Sequence, residues 1–504
     1  MMQNGSKYKS VLKATTMLGG SSLFRIFMEM VRRKIVAVLL GPSGVGLLGV
    51  YQSIENLAGT FVEMGVRTSG VRQIAMSYGA GDELGTGRLV SSLRTLVCVM
   101  ALIGGVAVAL SSPIVTRLTF GSSDHLCPIA FLGLCVLINE LIVGQSCIIQ
   151  GCRRVGSIAL MTMIGSINGT VLSVPILYFW GVDGIVPSLI IVALASYITN
   201  WHFARKICLP HVKVDVQKKL EDAKKLLGLG IPIMFSALLG ALSAYVVRLL
   251  LIRHFDMHGV GLWTAAFAFS GGLVSFILGA MTADYYPRLS AIAGDVGQVA
   301  EVLNVQTEVA ILLALPALAA TMLFAPFGIW LFYDGRFDGA VIILRWSVYG
   351  VFGRLLGWPL GYVLLAQGRS KMFFLTELLV SVTYLVCLEL GCRCWGLEGS
   401  GIAFMINYGV YVPLMLVVMR MSGVRAWNKR IVVLVLLGIG VLLMSRLIYM
   451  MSNDVVRYFL SFGFVLLTGL FSISQLERCV GYSVFHKGQS FISKLRNIMK
   501  PNRK

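Results

Sequence analysis

The chain has 504 residues, of which 57% are hydrophobic and only 13% charged, with a mean hydropathy of +0.82 and a formal charge of +20. A soluble globular domain carries about 25% charged residues, so this composition excludes one and defines an integral membrane protein. The basic excess is scattered over many short connections, which excludes a nucleic-acid-binding domain and makes the charge a matter of membrane topology.

The apolar runs are about 20 residues long, the length of a membrane-crossing helix, and lack the roughly ten-residue alternation of a β-barrel. In chain order they predict spans at 12–40, 45–66, 91–111, 127–149, 158–180, 184–204, 228–253, 260–283, 305–332, 341–366, 371–391, 396–419, 431–450 and 456–476. The expected fold class is an all-α polytopic membrane protein with about 14 transmembrane helices. No signal-peptide pattern precedes the first span, which is expected to stay in the mature chain.

Basic residues alternate sides with the spans. One side carries Arg72, Arg88 and Arg94, then Arg153 and Arg154, the stretch from Arg205 to Lys225, Arg369 with Lys371, and Arg420 to Arg430. The other has little beyond Arg117, Arg336 and Arg393. By the positive-inside rule the crowded side is cytoplasmic, and an even number of spans places both termini there.

The sequence also resembles itself. Gly44-Val45-Gly46-Leu47 returns 215 residues later as Gly259-Val260-Gly261-Leu262, and Trp180-Gly181-Val182-Asp183-Gly184 returns at the same offset as Trp395-Gly396-Leu397-Glu398-Gly399. Gln150-Gly151 and Gln367-Gly368 give a third anchor at 217. Parallel halves of this kind are a transporter architecture with the substrate site between them. The expected organisation is an N-lobe at 1–225, a C-lobe at 226–430, and a segment at 431–504 holding two further helices and a basic tail.

Several motif matches have bland explanations. Gly44 to Gly49 fits a dinucleotide-binding glycine pattern but sits between two apolar helices, with no strand or acidic ribose ligand. His254 and His258 have metal-pair spacing without a supporting glutamate, and Cys392 and Cys394 stand too close in sequence to bridge readily. Asn168-Gly169-Thr170 matches a glycosylation acceptor but falls inside a span. No metal or cofactor is expected.

The informative residues are charges within spans, each costing about 2.5 to 3.5 kcal/mol at mid-bilayer on insertion scales. Span 1 would be roughly 43 Å long as a helix, longer than the ~30 Å hydrocarbon core. On it Arg25, Glu29 and Arg32 or Arg33 share a face, which should point into a protein interior or a hydrated cavity. Arg33 shifted by 215 lands on Arg248, the one cation in an apolar run of span 7. Arg345 and Arg354 lie on opposite sides of span 10, and Arg354, nearer mid-depth, is the expected cavity residue. Arg25, Arg33, Arg248 and Arg354 are therefore the candidate binders of an anionic substrate, and guanidinium suits phosphate because it offers two parallel donors and stays charged. Glu55, Glu63 and Glu140 are the candidate ion-coupling carboxylates, and Glu377 is a further intramembrane acid.

The segments Leu40 to Gly49, Gly230-Ile231-Pro232, Gly261-Leu262 and Ala283-Asp284-Tyr285-Tyr286-Pro287-Arg288-Leu289-Ser290 together resemble the Wzx-type O-antigen flippases of the multidrug/oligosaccharidyl-lipid/polysaccharide (MOP) exporter superfamily. The resemblance covers roughly residues 10 to 430. It implies two pseudo-symmetric six-helix lobes around a central cavity, with two extra C-terminal helices. It also implies transfer of an undecaprenyl-pyrophosphate-linked oligosaccharide across a bacterial inner membrane, in the company of membrane lipids and other polysaccharide assembly proteins. Arg25, sixteen residues before Gly41, matches a cavity arginine of the related lipid II flippases. Those flippases carry basic residues on span 2, where this chain has Ala58-Gly59-Thr60-Phe61-Val62-Glu63, which speaks against lipid II as substrate.

Two alternatives remain. Multidrug exporters of the same superfamily take organic cations and rely on acids, against the arginine excess found here. A polytopic polymerase or ligase needs a large outer loop and a glycosyltransferase a cytoplasmic domain, and the sequence predicts neither. The tail from Val484 to Lys504 pairs apolar with basic residues, a pattern expected of a segment lying on the anionic inner surface.

The topology has a direct check. A periplasm-dependent phosphatase fused within 120–125 or 181–184 is expected to be active, and one fused within 206–215 or 420–430 silent; the reverse pattern would invert the orientation.

Overall fold

The computed structural model describes residues 2–210, 212 and 214–480. The tail segment from Val484 lies outside the described residues. Among those described no strand occurs, and the helices are α1 (Met2–Glu63), α2 (Val66–Gly79), α3 (Glu83–Phe120), α4 (Leu126–Gly151), α5 (Val155–Trp180), α6 (Ile185–Arg205), α7 (Val216–Ala291), α8 (Val296–Leu323), α9 (Ala325–Phe332), α10 (Gly339–Ala366), α11 (Ser370–Trp395), α12 (Gly399–Met421), α13 (Lys429–Tyr449) and α14 (Asp454–Val480).

Ten stretches among the described residues are long and apolar enough to cross a membrane. Four of them, at Gly19–Glu63, Val155–Arg205, Met234–Gly272 and Ser370–Met421, contain an internal break, so ten and four give fourteen crossings.

The breaks show why the sequence repeats. Spans 1 and 2 run together as α1, interrupted at Gly41 (φ 66°, ψ −173°) before Pro42. Proline lacks an N–H and disfavours a helical residue before it, and glycine accepts the positive φ without a Cβ clash. Spans 7 and 8 run together as α7, interrupted 215 residues later at Asp256 (φ 62°, ψ −170°). Asp256 offsets its strained backbone by capping the second half of α7: its Oδ1 accepts from the N–H of His258 at 2.8 Å and of Gly259 at 3.2 Å.

The same offset relates both ends of α5 and α11, and the left-handed residues Gly181 (φ 55°) and Gly396 (φ 59°). Arg153 (φ 53°) and Gly368 (φ 72°) are also 215 apart. The turn after α4 therefore aligns through Arg153, and the two Gln-Gly pairs sit two residues out of register.

The chain divides into two compact units, Met1–Ala265 with Ile329–Ala340 and Glu377–Leu397, and Ala266–Gly328 with Val341–Thr376 and Glu398–Lys504. In the first, α3 packs on α4, α5 on both α1 and α6, and α2 on α4. Here the two copies of the Gly-Val-Gly-Leu motif meet. A Cβ on Gly46 would overlap the carbonyl oxygen of Met257, and one on Gly261 would overlap that of Pro42. Positions 42 and 257, like 46 and 261, are repeat equivalents, so the contact is reciprocal, as contacts across a two-fold axis are.

Basic side chains close the adjoining helix ends. Arg336, held by Asp334 through Nε at 2.9 Å, donates from Nη2 to the carbonyls of Ala37 (3.0 Å) and Val38 (2.7 Å), which the break at Gly41 leaves without helical partners. Lys34 donates in turn to the carbonyls of Trp330 (2.5 Å) and Tyr333.

Two elements here depart from the predicted spans. Residues 66–79 form a separate helix, and the connection before span 7 is helical from Val216. Asp222 on that connection is 3% exposed and accepts from Arg88 Nη2 (2.7 Å), Arg88 Nε (3.1 Å) and Ser92 Oγ (2.9 Å), tying it to α3.

In the second unit α8 packs on α13 and α14, and expected span 9 ends early, the chain breaking at Phe324 before α9. Tyr285 of the Tyr-Tyr-Pro-Arg-Leu-Ser segment is fully buried, donates to the carbonyl of Pro359 at 3.0 Å and packs with Tyr362. Arg345 lies over the Tyr449 ring at 3.7 Å, and Arg446 over Trp346 at 4.2 Å, so both cations serve to dock α13.

The crossing predicts a sharp contrast. Gly261→Val forces two backbones apart and is expected to cost about 1–3 kcal/mol or more, seen as a lowered Tm and yield in detergent. Gly240→Val, where a Cβ meets nothing within 4 Å, is expected to be mild. Equal effects would show that the crossing bears no special constraint.

Candidate functional site

Charge enters the first unit through the inner part of α1. Arg25 Nη1 lies 2.6 Å from Glu29 Oε1 one helical turn on, and Arg33 reaches the other oxygen at 3.9 Å. Between them Arg32 makes no hydrogen bond or ion pair among the described residues. It points toward α5, where a Cβ on Gly169 would come within 3.4 Å of its Nη1.

These residues edge a cavity of about 430 Å³ lined by Arg25, Glu29, Arg32 and Arg67 together with α4, α5 and α6. Thr162, Ser166, Thr199 and Asn200 supply much of its polar wall. Ser146 Oγ bonds Asn200 Oδ1 at 3.1 Å, and Asn168 Nδ2 bonds Thr199 Oγ1 at 3.5 Å, which fixes α6 against α4 and α5. Three guanidiniums against one carboxylate make the cavity net cationic. Gly165 and Gly169 belong to the lining and expose backbone there.

The structure separates the other expected residues. Arg33 is about half exposed and does not line this cavity. Arg248, on the first half of α7, donates from Nη1 to the Ala244 carbonyl at 3.0 Å and lies 5.2 Å over the Trp263 ring, while its buried Nε has no partner. Arg354 is an exposed residue of α10 in the second unit.

Of the acids, Glu55 accepts a hydrogen bond from Asn139, and Glu63 lies 3.7 Å from Arg67. Glu140 is 3% exposed and its Oε1 has no hydrogen-bond partner. Helical spacing alone leaves Arg32 tied with Arg33, since a helical wheel does not resolve adjacent arginines, and it passes over Arg67, which lies just past the end of span 2.

His254 pairs with Glu389 (3.0 Å) and not with His258, and the cysteines described are free thiols. No group of three metal-binding side chains occurs among the described residues.

At another place in the first unit Tyr51 Oη meets His125 Nδ1 at 2.8 Å, and Phe120 stacks on the imidazole at 3.9 Å. They adjoin a mainly apolar cavity of about 740 Å³ that also takes in Trp180 and Asp183.

An all-helical chain with two tandem six-helix repeats, two further helices and a cationic intramembrane cavity has the make-up of a multi-pass transporter. Residues 35–342 match the family described as polysaccharide biosynthesis protein, and the chain belongs to that family. It is 21% identical to the lipid III flippase of Escherichia coli (strain K12) over 418 residues, which is 80% of this chain and 97% of that one. Among solved structures it is similar to the lipid II flippase MurJ in an inward closed conformation, with a TM-score of 0.70, 14% identity and coverage of 92% and 99%. It is also similar to an inward-facing MATE family multidrug resistance transporter, with a TM-score of 0.68, 19% identity and coverage of 81% and 95%. The fold is that of the MOP superfamily. These relatives are flippases and transporters.

Burial lowers the pKa of His125 in the loop after α3, against the opposing pull of Asp124. The unfolded chain then protonates first, near pH 6.5. The stability from neutral His125 is whole above that value and is lost as the pH falls through it. Tm of the purified protein is expected to drop between pH 7 and 5, and less steeply in His125→Gln. An unchanged slope in the variant would rule this imidazole out.

Proposed function

We propose that this protein flips an undecaprenyl-pyrophosphate-linked oligosaccharide, an O-antigen or related repeat unit, across the bacterial inner membrane by alternating access, with residues 1–225 and 226–430 as its lobes. The observation that carries the reading is the guanidinium group formed by Arg25, Arg32 and Arg67 around one cavity within the spans. A cationic cavity with hydroxyl and amide walls suits a phosphate joined to a glycan, and enclosing that head group reduces the desolvation cost of carrying it through lipid. Similarity to a lipid III flippase over 97% of its length supports the substrate class. A cation exporter would require the opposite balance of charge.

Arg25 and Arg32 bind the pyrophosphate in this scheme, while Arg33, Arg248 and Arg354 lie outside the cavity lining. Glu140 is the carboxyl proposed to carry a coupling proton, since one of its oxygens stays unpartnered at full burial, with Glu55 and Glu63 as supporting acids.

The test is transbilayer movement of a radiolabelled polyprenyl-pyrophosphate oligosaccharide in proteoliposomes at matched protein insertion. Arg32→Ala and Arg25→Ala are each expected to slow it about tenfold or more, the loss of one charge-assisted contact worth ~1.5–3 kcal/mol. In Glu140→Gln the rate is expected to stop responding to a pH gradient. Wild-type protein that moves no such lipid but exports a cationic dye would replace this reading with multidrug transport.

A further inference from the structure

A second charged site shares no lining residue with the cavity just described. The end of the first half of α7 and the end of α11 frame a groove of about 640 Å³. Its rim holds Arg253, His254, Glu389 and Arg393, and its floor is apolar, from Val246 and Leu250 on α7 to Leu385, Val386 and Leu390 on α11. Glu389 ties the two helix ends together by accepting from His254 Nε2 at 3.0 Å and Arg393 Nε at 2.7 Å. Arg253 takes no part in that tie and makes no hydrogen bond or ion pair among the described residues. Val386 and Leu390 remain 52% and 55% exposed, as apolar side chains facing lipid from a membrane-crossing helix do.

The repeat shows that the fold does not require these charges. Shifted back by 215, Arg253, His254, Glu389 and Arg393 become Val38, Leu39, Val174 and Tyr178. The cavity residues Arg25, Glu29 and Arg32, shifted forward, become Gly240, Ala244 and Val247. Each repeat thus charges its first helix at a different height, with Arg25, Glu29 and Arg32 all standing before Val38, the equivalent of Arg253.

We propose that the groove between α7 and α11 is a binding site for an anionic phospholipid of the surrounding bilayer. From Val246 to Arg253 the helix rises about 10 Å, so chains on the apolar floor place a phosphodiester at the level of the guanidiniums. Arg253 and Arg393 against Glu389 leave one net positive charge, which matches a monoanionic phosphodiester and falls short of a pyrophosphate. The unpartnered Arg253 donates to the phosphate, and Arg393, positioned by Glu389, supports it. This site does not depend on the identity of the transported substrate.

The test uses full-length purified protein titrated with phosphatidylglycerol or phosphatidylcholine, read by Tm and by retained lipid in native mass spectrometry. Phosphatidylglycerol is expected to raise Tm by several degrees more than phosphatidylcholine, with that difference lost in Arg253→Glu and in the milder Arg253→Gln, and kept in Arg117→Glu. Equal effects of the two lipids, or a difference that survives both Arg253 variants, would overturn the proposal. So would wild-type protein that retains polyprenyl phosphate in preference to phosphatidylglycerol.

Discussion

Two backbones touching where side chains are forbidden is the constraint on which this architecture depends. Gly46 meets Met257 and Gly261 meets Pro42 because each helix pair turns at a residue of positive φ and at once passes its repeat partner. Membrane helices gain little from burying apolar surface against one another, so close backbone approach supplies much of the packing. Once the crossing is set, the carbonyls left open at the turn need donors, and Arg336 provides them at Ala37 and Val38. Short sequence and fixed offset both stem from geometry: a displaced or enlarged residue on either side would break both contacts.

Much of this was legible in the sequence, because lipid leaves few options. Long apolar runs must be helices, and fourteen crossings emerge from the runs alone. The repeat was legible through the glycines that make the crossing and through the Trp-Gly turns at Gly181 and Gly396. What escaped was encoded differently. The Gln-Gly anchor was two residues out because Arg153 adopts a left-handed conformation that sequence reserves for glycine. The break at Asp256 was hidden for the same reason, its aspartate standing where the first repeat has Gly41. Helix α2 and the helical start of α7 are too polar for a hydropathy reading, and the bond from Arg88 to Asp222 joins residues 134 apart.

The candidate site was legible as a face and not as a set of residues. Charges at helical spacing on span 1 announced a polar interior, and the cavity against α4, α5 and α6 lies beside them. Which arginine turns inward is decided by Gly169 on α5, a residue with no chemistry of its own. Arg248 follows the repeat from Arg33 in sequence, yet stacks on Trp263 and serves the neighbourhood of the crossing. Arg345 became a packing residue under Tyr449. Intramembrane arginine therefore has several uses in one chain, and position in the repeat does not sort them.

The polar wall of the cavity has a consequence for what can rest on it. Thr162, Ser166 and Thr199 each give their proton to a backbone carbonyl of their own helix, at 2.8 to 2.9 Å, Ser146 gives its proton to Asn200, and Asn200 gives one to the Ser196 carbonyl at 2.8 Å. The wall is thereby left presenting lone pairs, while the arginines opposite present only hydrogens. A guest must be polarised in the same sense, proton-rich at one end and proton-poor at the other, so the cavity can distinguish the two ends of a molecule before it distinguishes one sugar from another.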